Sequence, residues 1–265
     1  MPRQKENVLT SSPVVMSITH HDPSGGGGIS ADIETLSSLG CHCTPIITEL
    51  SAHDTSDIKD SQITDTGLLI GQVRAVLEDI TVDLFKIGDL ASLSHVEAVH
   101  TILNDYPNIP VLLDPHIHQE DGRHEIVRAI RTLLFSQAEI VIFNTNEAHT
   151  LAPGSDTLSA CAQEIMEYGC NNILITGAHG ASAQVRNHWF SQHGQCQHYD
   201  WERQPNSYLG AGSTLSAALS AYLAHKLSLA ESVKQAQYYT WQALRKGRRI
   251  GMGALIPDRL HWCRK

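Results

Sequence analysis

Long hydrophobic runs are missing from this chain: no apolar stretch among its 265 residues approaches the ~18 residues of a membrane span. The N-terminus, MPRQKENVLTSSP, has no apolar core of an export signal. Cysteine is sparse too. Cys41, Cys43, Cys161, Cys170, Cys196 and Cys263 show neither CxxC spacing nor the density of a disulfide scaffold, so a reduced compartment is expected. Positive charge is short, with 19 Lys and Arg against 28 Asp and Glu and a net charge of −9, which argues against a phosphate-backbone partner. Only RKGRR, Arg245 to Arg249, is locally basic, and a helix end there favours cations without any ligand. The expectation is a cytoplasmic protein, folded nearly throughout with residues 1–12 flexible, that meets neither nucleic acid nor membrane.

What is present is alternation. From Val14 onward short apolar runs exchange with helical patterns, as βαβ units do when they build a mostly parallel sheet with helices on both faces. Strands are expected over 14–19, 44–50, 82–88, 109–115, 138–144 and 171–177. Helices are expected near 29–39, 64–79, 93–105, 123–135, 146–152, 157–169, 212–226 and 230–246. SAQVRNHWFS and CQHYDWERQ predict an antiparallel hairpin turning at Gln192 to Gly194. The fold class is α/β with a doubly wound sheet, and such sheets bind ligands beyond the carboxyl ends of their strands.

Chemistry-bearing residues gather at those ends. HHDPSGGGGISAD, His20 to Asp32, runs four glycines into a helix, where free amides could hold an anion or let a ligand approach the backbone closely. It is no standard P-loop, since GxxxxGK[ST] is absent, and GxGxxG fails because residue 30 is Ser. A second glycine cluster, YLGAGSTLSAAL from Tyr208, opens another helix and offers the amides of Gly210, Gly212 and Ser213 to a phosphate, or else Ser213 or Thr214 simply caps that helix. NTNE, Asn144 to Glu147, places a carboxylate where it could hold hydrated Mg²⁺, or else caps a helix, and Asp114 is a second candidate. His20, His21, His53, His116, His118 and His179, with Asp22 and Asp114, could alternatively assemble a transition-metal site.

Taken in order, DPSGGGGISAD, KIG, LLDP, NTNEA and GAGSTLSAAL resemble the hydroxymethylpyrimidine and hydroxymethylpyrimidine-phosphate kinases of thiamine biosynthesis, from about Val14 to Pro257. The resemblance implies a single ribokinase-like domain over 1–265, a three-layer α/β/α sandwich, that forms a homodimer. It implies ATP and Mg²⁺ as cofactors and two phosphoryl transfers, first to the aminopyrimidine's hydroxymethyl group and then to the resulting monophosphate. Asp22, Gly26, Gly27, Asp32, His53, Asp89 and His116 would line the pyrimidine pocket. Gly210, Gly212 and Ser213 would form the catalytic anion hole, with Ala211, Thr214 and Thr176 at the ATP phosphates. Asn144 and Glu147 would match the family's NxxE magnesium motif beside Asp114, and GMGALIP (251–257) would border adenine.

Several positions depart from the family pattern. Ser213 stands where HGTGC ends in Cys, and Thr176 stands for the Lys of KGGH. Ala52-His53-Asp54 replaces AQN, Asp89 replaces the Met of KIGML, and HIHQEDG replaces the VMVAKSG flap. His20 and His21 replace a small Gly-Ser pair. Since these changes touch base, phosphate clamp, pocket and lid, two alternatives stand beside the pyrimidine kinase. One is a kinase of another small substrate, the other a catalytically weak ligand-binding relative.

Overall fold

The computed structural model describes residues 12–117, 124–177, 182–192 and 194–263. The expectations for residues 1–11, for His118 and His179, and for most of the HIHQEDG segment fall outside them. The described residues form one nine-stranded sheet: β1 (Val14–His21), β2 (His42–His53), β3 (Ile58–Ile63), β4 (Leu84–Ile87), β5 (Val111–Leu113), β6 (Ile140–Asn144), β7 (Asn172–Thr176), β8 (Gln184–Ser191) and β9 (Cys196–Glu202). Their order is β3-β2-β1-β4-β5-β6-β7-β8-β9. β2, β1, β4, β5, β6 and β7 run parallel, while β3, β8 and β9 are antiparallel additions at the two edges.

Strand alternation sorts the core into two layers. Met16, Ile18, Phe85 and Ile87 face α2 (Thr66–Leu77), α3 (Leu93–Asp105), α4 (His124–Ala129), α5 (Thr145–Leu151) and α6 (Leu158–Met166). Val15, Leu84, Leu112 and Leu174 face α1 (Gly28–Ser38), α7 (Ala211–Ala224) and α8 (Leu229–Arg245). This is the ribokinase-like three-layer sandwich. Each fully buried Leu, Ile or Phe in it is worth about 1.5–3 kcal/mol of hydrophobic stabilisation. No described helix is long and apolar enough to cross a membrane.

The six expected parallel strands and the β8–β9 hairpin are all present. β3 was not expected: all six of its residues are exposed, so no buried alternation marks it, and it exists by pairing with an extended β2. Seven of the helix starts divide into two kinds. Asp65, Ser92, Asn144, Thr157 and Ser228 cap α2, α3, α5, α6 and α8 with side-chain oxygens. α1 and α7 instead begin at Gly27 and Gly210 with no side-chain cap. From β1 the chain crosses to β2 on one side and returns to β4 on the other, so the topological switch point lies between β1 and β4, beside the start of α1.

Candidate active site

At the end of β1, Asp22 to Gly25 close a β-turn in which the Gly25 N–H donates to the Asp22 carbonyl at 3.2 Å. The Asp22 carboxylate is 1% exposed and accepts from the N–H of Ser24 at 2.8 Å and of Gly27 at 2.7 Å. Of the two roles the glycine run left open, anion cradle and close approach, the first is therefore taken up internally: these amides already hold a carboxylate. His53, at the end of β2, brings its Nδ1 to 3.5 Å from Asp22 Oδ1.

The second glycine cluster is open. Gly210 is left-handed, with φ of 80°, and the first helical bond of α7 runs from the Thr214 N–H to the Gly210 carbonyl at 2.9 Å. The N–H groups of Ala211, Gly212 and Ser213 meet no acceptor among the described residues. Aligned peptide dipoles put roughly half a positive charge at such a helix start, which makes it an anion site. The two clusters also pack against each other. A Cβ built on Gly210 would overlap the Gly26 carbonyl oxygen, and one on Gly27 would stand 3.8 Å from Ser213 Oγ.

Around the switch point the rim is polar. Asp89, at the end of β4, donates its N–H to Thr19 Oγ1 at 3.2 Å, and its carbonyl accepts from Thr48 Oγ1 at 2.9 Å. The rings of His20 and His116 meet edge to face at 6.3 Å, and His116 holds a left-handed φ of 44°. Burial pushes the His20 imidazole below its ordinary value, with Asp89 pulling the other way. Burial also acts to lower His116, but the carboxylates of Asp114, Asp89 and Glu147 outweigh it and hold that imidazole above the ordinary value. Environments that drive two neighbouring imidazoles in opposite directions suit groups with different proton duties.

Asp32 is placed elsewhere than expected. It is fully buried on the sheet-facing side of α1, where its Oδ2 accepts from Ser17 Oγ at 2.5 Å and from Lys86 Nζ at 2.9 Å. This internal ion pair ties α1 to β1 and β4, so the Asp32 carboxylate is engaged within the core.

On the other side of the site, Asn144 and Glu147 form a capping box: Glu147 N–H donates to Asn144 Oδ1 at 2.9 Å, and Asn144 N–H to Glu147 Oε2 at 2.7 Å. Glu147 Oε1 also accepts from the Ile117 N–H at 3.0 Å. Burial pushes the Glu147 carboxyl up, and the charge of Asp114 adds to that. Asp114 is 7% exposed and its Oδ2 is buried with no hydrogen-bond partner. A cation beside these two carboxylates would relieve both the orphaned oxygen and the raised carboxyl, so the residues fit Mg²⁺, a hard ion that takes one or two carboxylates with phosphates and water. Thr176 ends β7 directly beside Asn144. Among the described residues no group of three or more His, Cys, Asp or Glu is arranged to hold a metal.

A family model described as phosphomethylpyrimidine kinase matches residues 22–258. The chain belongs to the phosphomethylpyrimidine kinase family. It is 30% identical over 256 residues to the hydroxymethylpyrimidine/phosphomethylpyrimidine kinase of Salmonella typhimurium, covering 93% of this chain and 96% of that one. Its fold matches the pyridoxal kinase of Staphylococcus aureus, solved with AMP-PCP, at a TM-score of 0.89, with 20% identity over 96% of each chain. It also matches a phosphomethylpyrimidine kinase of Clostridium difficile at a TM-score of 0.75, with 24% identity over 88% of this chain and 99% of that one. The protein is a phosphotransferase.

In this kinase the fold brings Asp22, Gly26, Gly27, Gly210 and Ser213 into one junction, with His53 beside Asp22 and with Ala211, Gly212 and Thr214 on the same helix start. His20, Asp89, His116, Asp114 and Glu147 form a second, electrostatically linked group. Sequence reasoning missed Arg259, whose guanidinium enters the junction of the two glycine turns, because no local motif surrounds it. It also missed the pairing of Lys86 with Asp32, although both lie inside quoted motifs.

Proposed function

We propose that the kinase transfers the γ-phosphoryl group of ATP to the hydroxymethyl oxygen of 4-amino-5-hydroxymethyl-2-methylpyrimidine and then to the phosphate of the monophosphate product. The observation that carries this reading is the row of unpaired amides at Ala211, Gly212 and Ser213, packed against the glycine turn at the switch point. In each transfer an acceptor oxygen bonds to the γ-phosphorus, the β–γ bridging bond breaks, and ADP leaves. Phosphoryl transfer asks the protein mainly for alignment and charge stabilisation, which open helix-start amides supply. Asp114 and Glu147 would hold Mg²⁺, which neutralises phosphate charge when bound. Ser213 has an ordinary hydroxyl and is a poor base, so His53, steadied by Asp22, is the stronger candidate to accept the hydroxyl proton. Thr176 borders the ATP phosphates in this reading.

A pyridoxal-type acceptor is the second reading. It is favoured by the ionisable rim of His20, Asp89 and His116 and by the likeness to the S. aureus pyridoxal kinase, solved also with pyridoxal at a TM-score of 0.89. One continuous sheet supports a single kinase domain. Exposed Leu50, Ile58 and Ile63 on the β2–β3 hairpin support a homodimer, which sedimentation velocity checks. The cytoplasm, where ATP and reduced thiols are maintained, is the proposed setting.

The deciding experiment incubates the protein with MgATP and either the aminopyrimidine or pyridoxal, following products by phosphorus NMR. Formation of the pyrimidine mono- and diphosphate supports the first reading. Pyridoxal phosphate alone supports the second. Calorimetric binding of the pyrimidine with no product over hours would leave a ligand-binding relative.

A further inference from the structure

Arg259 follows directly on the stretch that the family model matches, which ends at residue 258. Although it comes late in the chain, it is 1% exposed. Its Nη1 donates to the Gly25 carbonyl at 3.0 Å and to Glu34 Oε2 at 3.0 Å, its Nη2 donates to the Gly26 carbonyl, and its Nε donates to Thr214 Oγ1 at 3.0 Å. Thr214 Oγ1 in turn donates to the Gly210 carbonyl at 2.7 Å. A Cβ on Gly210 would lie 2.9 Å from Arg259 Nη2. The Arg259 backbone is itself fixed, because its carbonyl accepts from Ser38 Oγ at 2.7 Å and from the Tyr239 hydroxyl at 2.5 Å.

One planar fork thus holds the acceptor-side turn and the first turn of α7 in a single register, a task that suits guanidinium and not ammonium geometry. Its charge is buried against the first turn of α7, on the same end as the unpaired amides. Among the described residues the acidic group paired with it is Glu34, which is 49% exposed and screened by water. A buried cation so placed adds to the positive potential of the helix start.

We propose that Arg259 is a positioning residue for phosphoryl transfer: it fixes the spacing between the acceptor turn and the anion-binding amides, and its charge strengthens anion binding at Ala211 to Ser213. This rests on the kinase reading above, and it is tested by binding as well as by turnover.

The experiment compares wild type with Arg259→Lys and Arg259→Gln. It measures calorimetric affinity for MgADP alone, for MgADP with aluminium fluoride as a stand-in for the transferring phosphoryl group, and kcat and KM with each acceptor. A lost charge-assisted hydrogen bond is worth about tenfold or more in affinity. We expect the gain in affinity that aluminium fluoride confers to fall about tenfold in Arg259→Lys and further in Arg259→Gln, while affinity for MgADP alone changes less than about twofold. kcat should fall with it. A merely structural residue would lower the melting temperature yet leave the ratio of the two affinities intact, so an unchanged ratio in folded Arg259→Lys overturns the proposal. If Arg259→Gln does not fold, Arg259→Lys alone decides. A wild type that gains no affinity from aluminium fluoride also overturns it. A wild type that gains affinity but phosphorylates neither acceptor sinks the functional reading, and the ratio still decides the role of Arg259.

Discussion

At the start of α1 and at the start of α7 the chain uses the same device, a glycine turn feeding an uncapped helix, and puts it to opposite uses. The first turn wraps its amides around the Asp22 carboxylate. In the second, no acceptor among the described residues meets the amides of Ala211, Gly212 and Ser213, and the Arg259 guanidinium lies behind them. Glycine content therefore says that backbone must come close to something. The side chains that enter the turn say whether that something is the protein itself or an anion.

Forcing the two turns apart has the largest expected effect. Gly210→Ala would put a left-handed φ on a residue with a Cβ, costing about 1–3 kcal/mol. It would also drive that Cβ into the Gly26 backbone, and overpacking costs about 1–3 kcal/mol even where neighbours can give. We expect a loss of about 4–6 kcal/mol, by urea unfolding, with activity abolished. An unchanged midpoint would mean that the turns do not touch.

Next in size is the ion pair beneath the first turn. Lys86→Met leaves the fully buried Asp32 carboxylate without its cation, which costs about 3–5 kcal/mol. The double change Lys86→Met with Asp32→Leu should recover most of that, because replacing both charges removes the stranded one. If single and double variants unfold alike, the pair carries no such coupling. Asp22→Asn then tests the asymmetry itself. Turning two charge-assisted amide bonds into neutral ones should cost about 1.5–3 kcal/mol. The first turn should at the same time gain affinity for sulfate relative to the wild type; stability lost with no such gain would show that the carboxylate is only a brace.

Much of this was legible in the sequence, and the residues that were not share a cause. Buried parallel strands announce themselves as short apolar runs, and NTNE and GAGST sit at strand and helix ends where local chemistry can be read. β3, with the exposed sequence IKDSQI, has no pattern of its own and is defined only by its partner. Asp32 is assigned to the pyrimidine pocket by the family resemblance and not by any local pattern. Its phase with buried Ala31, Thr35 and Leu36 instead turns it toward the sheet, where Lys86 waits from a strand far along the chain. Arg259 is the same case at longer range: besides Glu34, its partners are carbonyls of the first turn and a hydroxyl of the second, and carbonyls leave no mark in a sequence.

The smallest expected effect on stability is the most informative about chemistry. Gly212 sits inside the first turn of α7, and a Cβ built there meets nothing within 4 Å, so Gly212→Ala adds a methyl to empty space. Alanine is favoured over glycine in a helix by about 0.5–1 kcal/mol, and the unfolding midpoint should rise by a corresponding amount. The methyl would project beside the amides of Ala211 and Ser213, where an anion would sit. Phosphoryl transfer should fall while stability rises, a split that no general loosening of the fold produces. A variant that is both more stable and fully active would show that the transferring group does not use the open amides, and the contrast between the two turns would then have to be explained without catalysis.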